Sequence, residues 1–251
     1  MKTIYRLVVM MVAVVVLLAL SATVYASKMD SRIESSAKQS YVFKTYLQND
    51  DINIQSKDGA VTLTGTVSEE SHKSLAQETV AGLPGVKSVD NKLEIKGTPP
   101  PKNSDAWITT KVKTMLLFHQ NVSSMTEVNT TNGIVTLQGK ANSMAQKDLT
   151  TEYAKDVEGV KGVKNEMTIG KTAKKKQTMG SKIDDASITA LVKMTLLYHR
   201  STSALNTSVA TKRGVVTLTG KAKNAAEKDL AAKFAKDVKG VKGVNNQMTI
   251  G

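Results

Sequence analysis

His119 and His199 are the residues best equipped for acid–base or metal chemistry, because an imidazole holds or releases a proton near neutral pH and can ligate a metal. They occupy equivalent places, in Leu116-Leu117-Phe118-His119 and Leu196-Leu197-Tyr198-His199, whereas His72 has no counterpart. A zinc site needs further His, Cys, Asp or Glu at ligand spacing. None stands at such a spacing from these histidines, so the expected role is at a helix end, with no metal. Gly159-Val160-Lys161-Gly162-Val163 is glycine-rich, but a strand pattern follows it, so no helix N-terminus is there to hold a phosphate. No Gly-Lys-Ser/Thr loop, Gly-x-Ser-x-Gly elbow or recurring carboxylate pair occurs. The absence of cysteine excludes disulfides, thiolate metal sites, attached c-type haem, a cysteine nucleophile and an acylated cysteine. The expectation is no catalytic residue, no metal, no cofactor and no small-molecule substrate.

Charge is the other chemical resource. The chain of 251 residues has a formal net charge of +13, which favours anionic partners. The excess is local: residues 28–97 hold 9 basic and 10 acidic side chains, 98–170 hold 8 and 7, and 171–251 hold 16 and 5. Lys171, Lys174, Lys175 and Lys176 cluster just ahead of the last part of the chain. Aromatics for base stacking do not interleave with these lysines, so nucleic acid is not an expected partner.

At the N-terminus, Lys2 and Arg6 precede an apolar run from Leu7 to Leu20, and Val24-Tyr25-Ala26 fits cleavage after Ala26. A cleaved signal over residues 1–26 is expected. An uncleaved anchor is the alternative, although the run is short for a span of about 20 residues. Either carries the rest of the chain out of the cytoplasm, and a periplasmic location is expected.

The elements that must position these groups come in triplicate. Val61-Thr62-Leu63-Thr64-Gly65 recurs as Val135-Thr136-Leu137-Gln138-Gly139 and Val216-Thr217-Leu218-Thr219-Gly220. Gly85-Val86-Lys87-Ser88-Val89 recurs as the segments starting at Gly159 and Gly240. Asp105-Ala106-Trp107-Ile108 matches Asp185-Ala186-Ser187-Ile188 and, more loosely, Asp30-Ser31-Arg32-Ile33. The units are 28–97, 104–170 and 182–251, joined by a proline-rich linker (98–103) and a lysine-rich one (171–181). Ile108, Val112, Met115 and Leu116 make one helical stripe, with Asp105 or Ser104 as its cap. Glycines in Lys57-Asp58-Gly59, Thr131-Asn132-Gly133 and Lys212-Arg213-Gly214 mark hairpin turns. A second helix follows, and Gly159 and Gly240 are expected to end it as left-handed caps. The last strand should then run parallel to the second by a right-handed crossover. The fold class is α+β: three tandem α-β-β-α-β modules, each a three-stranded mixed sheet with two helices on one face. Strand alternation places Gly65, Gly139 and Gly220 on the buried face, where the expectation is a crossing helix that leaves no room for a side chain.

The opening Ile-(x)3-Val-(x)3-Leu helix of copies two and three, Val-Thr-Leu-(x)-Gly before the second helix and Gly-Val-(x)2-Val after it resemble the BON domain, three times over. The resemblance implies a periplasmic or membrane-associated protein that attaches to phospholipid. It supplies no catalytic residues. Nothing in the cysteine-free sequence allows the lipid anchoring of the family's lipoprotein members.

Two partner classes remain open, an anionic phospholipid surface and envelope proteins held by a chaperone-like or scaffolding module. The candidate lipid contacts are Lys171, Lys174, Lys175, Lys176 and Lys193, with the off-stripe apolar residues Leu197, Tyr198, Trp107 and Phe118. For these apolar residues, with Leu117 and Leu191, packing against the neighbouring module or at the end of the core is expected ahead of lipid contact.

Overall fold

The computed structural model describes residues 27–122, 126–170, 183–202 and 207–251. The N-terminal segment and Lys171, Lys174, Lys175 and Lys176 lie outside them. In the first module a helix over residues 27–39 (α1) and a short helix Tyr41–Thr45 (α2) precede β1 (Asp51–Lys57), β2 (Ala60–Val67), α3 (Glu70–Ala81) and β3 (Ser88–Ile95). The second comprises α4 (Asp105–Phe118), β4 (Glu127–Thr131), β5 (Ile134–Gln138), β6 (Lys140–Ala141), α5 (Met144–Lys155), β7 (Gly162–Asn165) and β8 (Thr168–Ile169). The third repeats it with α6 (Asp185–Tyr198), β9 (Thr207–Lys212), β10 (Val215–Ala222), α7 (Ala225–Lys236), β11 (Gly243–Asn246) and β12 (Thr249–Ile250). Each middle strand pairs antiparallel with the strand before it and parallel with the strand after α3, α5 or α7. The α+β module with a mixed sheet and a parallel crossover is therefore present in all three units.

Local chemistry explains the repeat. The hairpin turns place Asp58, Asn132 and Arg213 at φ 54° and the following glycines at 80–84°, the two positive values of a type I′ loop. Asp30, Asp105 and Asp185 reach from the opening helices to these turns. Each carboxylate accepts both turn amides, for example Asn132 N–H at 2.8 Å and Gly133 N–H at 2.8 Å on Asp105. Ser104 and Asp184, not these aspartates, cap α4 and α6. Asp185→Ala strips two acceptors from a turn that already holds an arginine at positive φ, and about 1–2 kcal/mol of stability should be lost in a urea titration. Asn91, Asn165 and Asn246 form a second threefold tie. Each side chain donates to a carbonyl of the second helix (Lys73, Lys147 and Lys228) and accepts the amide two residues on.

Two glycine expectations change. A Cβ on Gly65, at φ +115°, would overlap the carbonyl oxygen of Asp51 in the paired strand β1, not a crossing helix. Gly139 and Gly220 share φ 120°, and Gly220 is exposed. The close helix lies instead beside the other set. A Cβ on Gly85 would stand 3.0 Å from Met29 Sδ, and one on Gly159 or Gly240 3.2 or 3.1 Å from Ile108 or Ile188, all in the opening helices. Those three glycines sit in the turn beyond the helix, not at its cap, since α5 and α7 are capped by Asp156 and Asp237.

The modules are not beads on a string. One continuous apolar core runs through all three, and α6 is buried on nearly every side. Module 1 docks on α6: the free N-terminal amides of α2 donate to Asp184 Oδ2 (Tyr41 N–H, 2.8 Å) and Ser187 Oγ (Val42 N–H, 3.1 Å). A Cβ on Gly82 would lie 3.3 Å from Ala186 Cα. Lys193 closes the contact with an ion pair to Glu78 at 2.6 Å.

Candidate functional site

Packing between modules decides which candidate contacts reach the surface. Phe118 is fully buried, and its ring meets Tyr46 of module 1 edge-on at 5.5 Å. Tyr198 is buried under Lys111 of module 2, whose Nζ lies 4.1 Å from its ring centroid. Leu191 is buried as well. Phe118 and Tyr198 are thus removed from the list of surface contacts, because neighbouring modules cover them. Trp107 is half-buried against the core, Lys193 is engaged by Glu78, and Leu197 stays 53% exposed. Lys193 and Leu197 line one groove with Gln77, Glu78 and Val209, and Trp107 lies outside it.

The structure instead draws attention to module 3, through where its acids point. Asp184 caps α6 and Asp185 holds the hairpin turn. Glu227 is buried and accepts the Lys223 amide at 2.5 Å, completing a reciprocal cap with Asn224. Asp237 is buried between modules. Only Asp229 of the five acids is exposed. The cations face outward: Lys212, Arg213, Lys221, Lys223, Lys233, Lys236 and Lys242 are exposed, and among the described residues none makes an ion pair. At the hairpin end, Lys242 lies along Gly214 (a Cβ there would be 3.0 Å from its Cδ), beside Lys212 and Arg213. Module 1 sets Asp58 and module 2 Asn132 where module 3 has Arg213. Three carboxylates spent on backbone amides, and Asp237 drawn between the modules, therefore leave a cationic surface with one exposed acid.

The histidines sit elsewhere. Both cap their helices in extended geometry, and each chain then pairs with the other module, through antiparallel bridges His119–Val238 and Val157–His199. The Gln120 N–H donates to the Asp237 carbonyl (2.9 Å), Lys239 N–H to the Phe118 carbonyl (3.0 Å), and Arg200 N–H to the Asp156 carbonyl (2.9 Å). His119 Nδ1 lies 3.1 Å from Asp237 Oδ2, and His199 Nδ1 lies 2.9 Å from Asp156 Oδ2. The two Nε2 atoms are 3.3 Å apart. Tyr153 donates to Asp237 Oδ2 at 2.7 Å, Asn121 donates to its other oxygen, and Ser201 donates to Asp156. Tyr153 stacks on His119 and Phe234 on His199, at ring distances of 4.0 and 3.8 Å. Burial, then the Asp237 bond, pushes the Tyr153 phenol above its ordinary range. His72 is separate, beside Asp50 at 2.5 Å in module 1. Among the described residues there is no group of three or more His, Cys, Asp or Glu that could hold a metal ion. No helix there is long and apolar enough to cross a membrane.

Comparison with known proteins fits this geometry. The family model described as BON domain matches residues 29–97, 104–171 and 184–251. Osmotically-inducible protein Y of Escherichia coli (strain K12) is 34% identical over 143 residues, covering 55% of this chain and 71% of that protein. The 21 kDa hemolysin of Actinobacillus pleuropneumoniae is 37% identical over 116 residues, 45% of this chain and 59% of that protein. Outer membrane lipoprotein DolP of Haemophilus influenzae is 31% identical over 119 residues, again 45% and 59%.

Proposed function

The chain belongs to the BON-domain family, and from that premise we propose that it is an exported, non-enzymatic envelope protein of the osmotic-stress type that associates with anionic phospholipid through module 3. The similarity to the osmotically inducible protein supports the setting, and the similarity to an outer membrane lipoprotein supports the envelope. One observation carries the choice of ligand: three of the five acids of module 3 are spent on backbone amides and Asp237 on the seam, while most of its lysines face solvent. Near an anionic bilayer each such cation contributes up to about 1 kcal/mol, falling off within about a Debye length. The lysines of 171–182, adjoining module 3 in sequence, would add to the same attraction.

Flotation of the mature chain tests this. Recovery should be high with vesicles containing phosphatidylglycerol, low with phosphatidylcholine alone, and lost in about 1 M salt, where the Debye length falls to about 3 Å. The triple variant Lys212→Glu, Arg213→Glu, Lys242→Glu should bind anionic vesicles at least about tenfold more weakly. Equal recovery with both vesicle types would sink lipid as the ligand and leave envelope proteins as the partner class.

A further inference from the structure

The contact between modules 2 and 3 leaves one proton to be placed. Each histidine Nδ1 faces a carboxylate oxygen, at 3.1 Å from Asp237 and 2.9 Å from Asp156, so each Nδ1 carries hydrogen. If both rings are neutral, two Nε2 lone pairs then point at one another across 3.3 Å, with both side chains fully buried. One added proton converts that repulsion into an Nε2–H···Nε2 hydrogen bond. Two added protons set two donors head to head. We propose that His119 and His199 form a buried site that binds a single proton between their Nε2 atoms, and that this proton fastens module 2 to module 3.

The surroundings favour one positive charge. Asp237 accepts from Tyr153, Asn121 and His119, and Asp156 from Ser201 and His199, which suits two ionised carboxylates. The other charged groups are few. α5 contributes Glu152 and Lys155 at the rim, the segment after α6 contributes Arg200 (3.7 Å from Asp156), and α7 with its turn contributes Lys233 and Lys239. A groove of about 470 Å³, lined by Glu152, Tyr153, Asp156, Arg200, Ser201 and Phe234, reaches the carboxylate and rings that contact the two histidines. A metal between the same atoms would lack a third ligand among the described residues.

The pH dependence follows from the geometry, and the local environment bears on its acid limb. Burial, the largest influence, holds His119 below the ordinary imidazole value, against the pull of Asp237; the neighbouring His199 lowers it further. With one proton already shared, burial and the charged neighbour both oppose a second, so the docked pair holds one proton where two separated imidazoles take up two. Docking therefore weakens as pH falls below about 6.5. At alkaline pH the loss of the single proton restores the repulsion, so docking is strongest between those limits.

The test uses the full ¹⁵N-labelled chain, with His72 as a reference in the same spectra. Long-range ¹H–¹⁵N correlations near about pH 7 should show hydrogen on both Nδ1 atoms and one proton shared across the two Nε2 atoms. Amide exchange should report the consequence. Protection of the Gln120, Arg200 and Lys239 amides should fall by up to about tenfold per pH unit on acidification, while β5 and β10 amides hold. Two bare Nε2 atoms at neutral pH, two fully protonated rings, spectra that change on adding EDTA, or interface protection flat with pH would each overturn the proposal. In His119→Gln with His199→Gln, two amides can bond without a proton, so the pH dependence should vanish; if that variant misfolds, the spectra of the unaltered chain decide.

Discussion

Gly65→Ala is expected to lower stability by about 3 kcal/mol or more, which a urea midpoint measured on the full chain would show. Two costs combine. The residue holds φ +115°, where L side chains are strained, and the added Cβ would overlap the Asp51 carbonyl oxygen in the strand β1 that pairs with it. Relief would require β1 and β2 to part at the open end of their ladder, where Asp51 and Ile52 pair with Thr66 and Gly65. Gly97→Ala separates the two costs. Gly97 has φ +75° but nothing within 4 Å of the built Cβ, so it should lose only about 1–2 kcal/mol. If the two variants prove equal, the clash with β1 is not what excludes a side chain at Gly65.

Asp237→Ala should be of similar size but confined to one seam. It leaves the buried Tyr153 hydroxyl and His119 Nδ1, and the more exposed Asn121 amide, without their acceptor. Removing one partner of such a buried pair costs about 3–5 kcal/mol. The loss should appear first as faster exchange at Gln120, Arg200 and Lys239, whose amides cross between modules, with the module sheets still protected. Asp237→Asn keeps one acceptor oxygen and should fall between. Asp229→Ala, on the exposed face of the same helix, should stay within about 0.5 kcal/mol. Equal exchange in Asp237→Ala and the unaltered chain would mean that the three backbone bonds hold the seam without the side-chain cluster.

The module was legible because its signals are local. Alternation around Val61 and Leu63, the Asn-Gly type turns and the triplicate glycines each lie within a few residues and fix a strand, a hairpin and a crossover. The reason for Gly65 was not legible in the same pattern. Side-chain period says which way a residue faces, whereas the constraint there is a backbone angle and a neighbouring carbonyl. The seam was less legible still, since His119 and Asp237 are 118 residues apart and belong to different modules. A signal existed nonetheless. Modules 2 and 3 each carry both the histidine and the aspartate, while module 1 has Gly82 in the step before its turn where they have Asp156 and Asp237. The glycine admits Ala186 instead. The off-stripe residues divided as chain geometry required: Phe118, Leu191 and Tyr198 went inside because three modules share one core, and Leu197 did not.

Modules 2 and 3 meet by mutual exchange, each lending a ring and receiving a carboxylate. Either one alone consequently owns both halves of the match, and two identical copies could meet across a true dyad as an isologous pair. Within one chain the covalent tether keeps the second half at high effective concentration, which favours the internal partner. Two chains that opened together could trade their third modules and rebuild the same contacts, yielding a swapped dimer with no new chemistry at its joint.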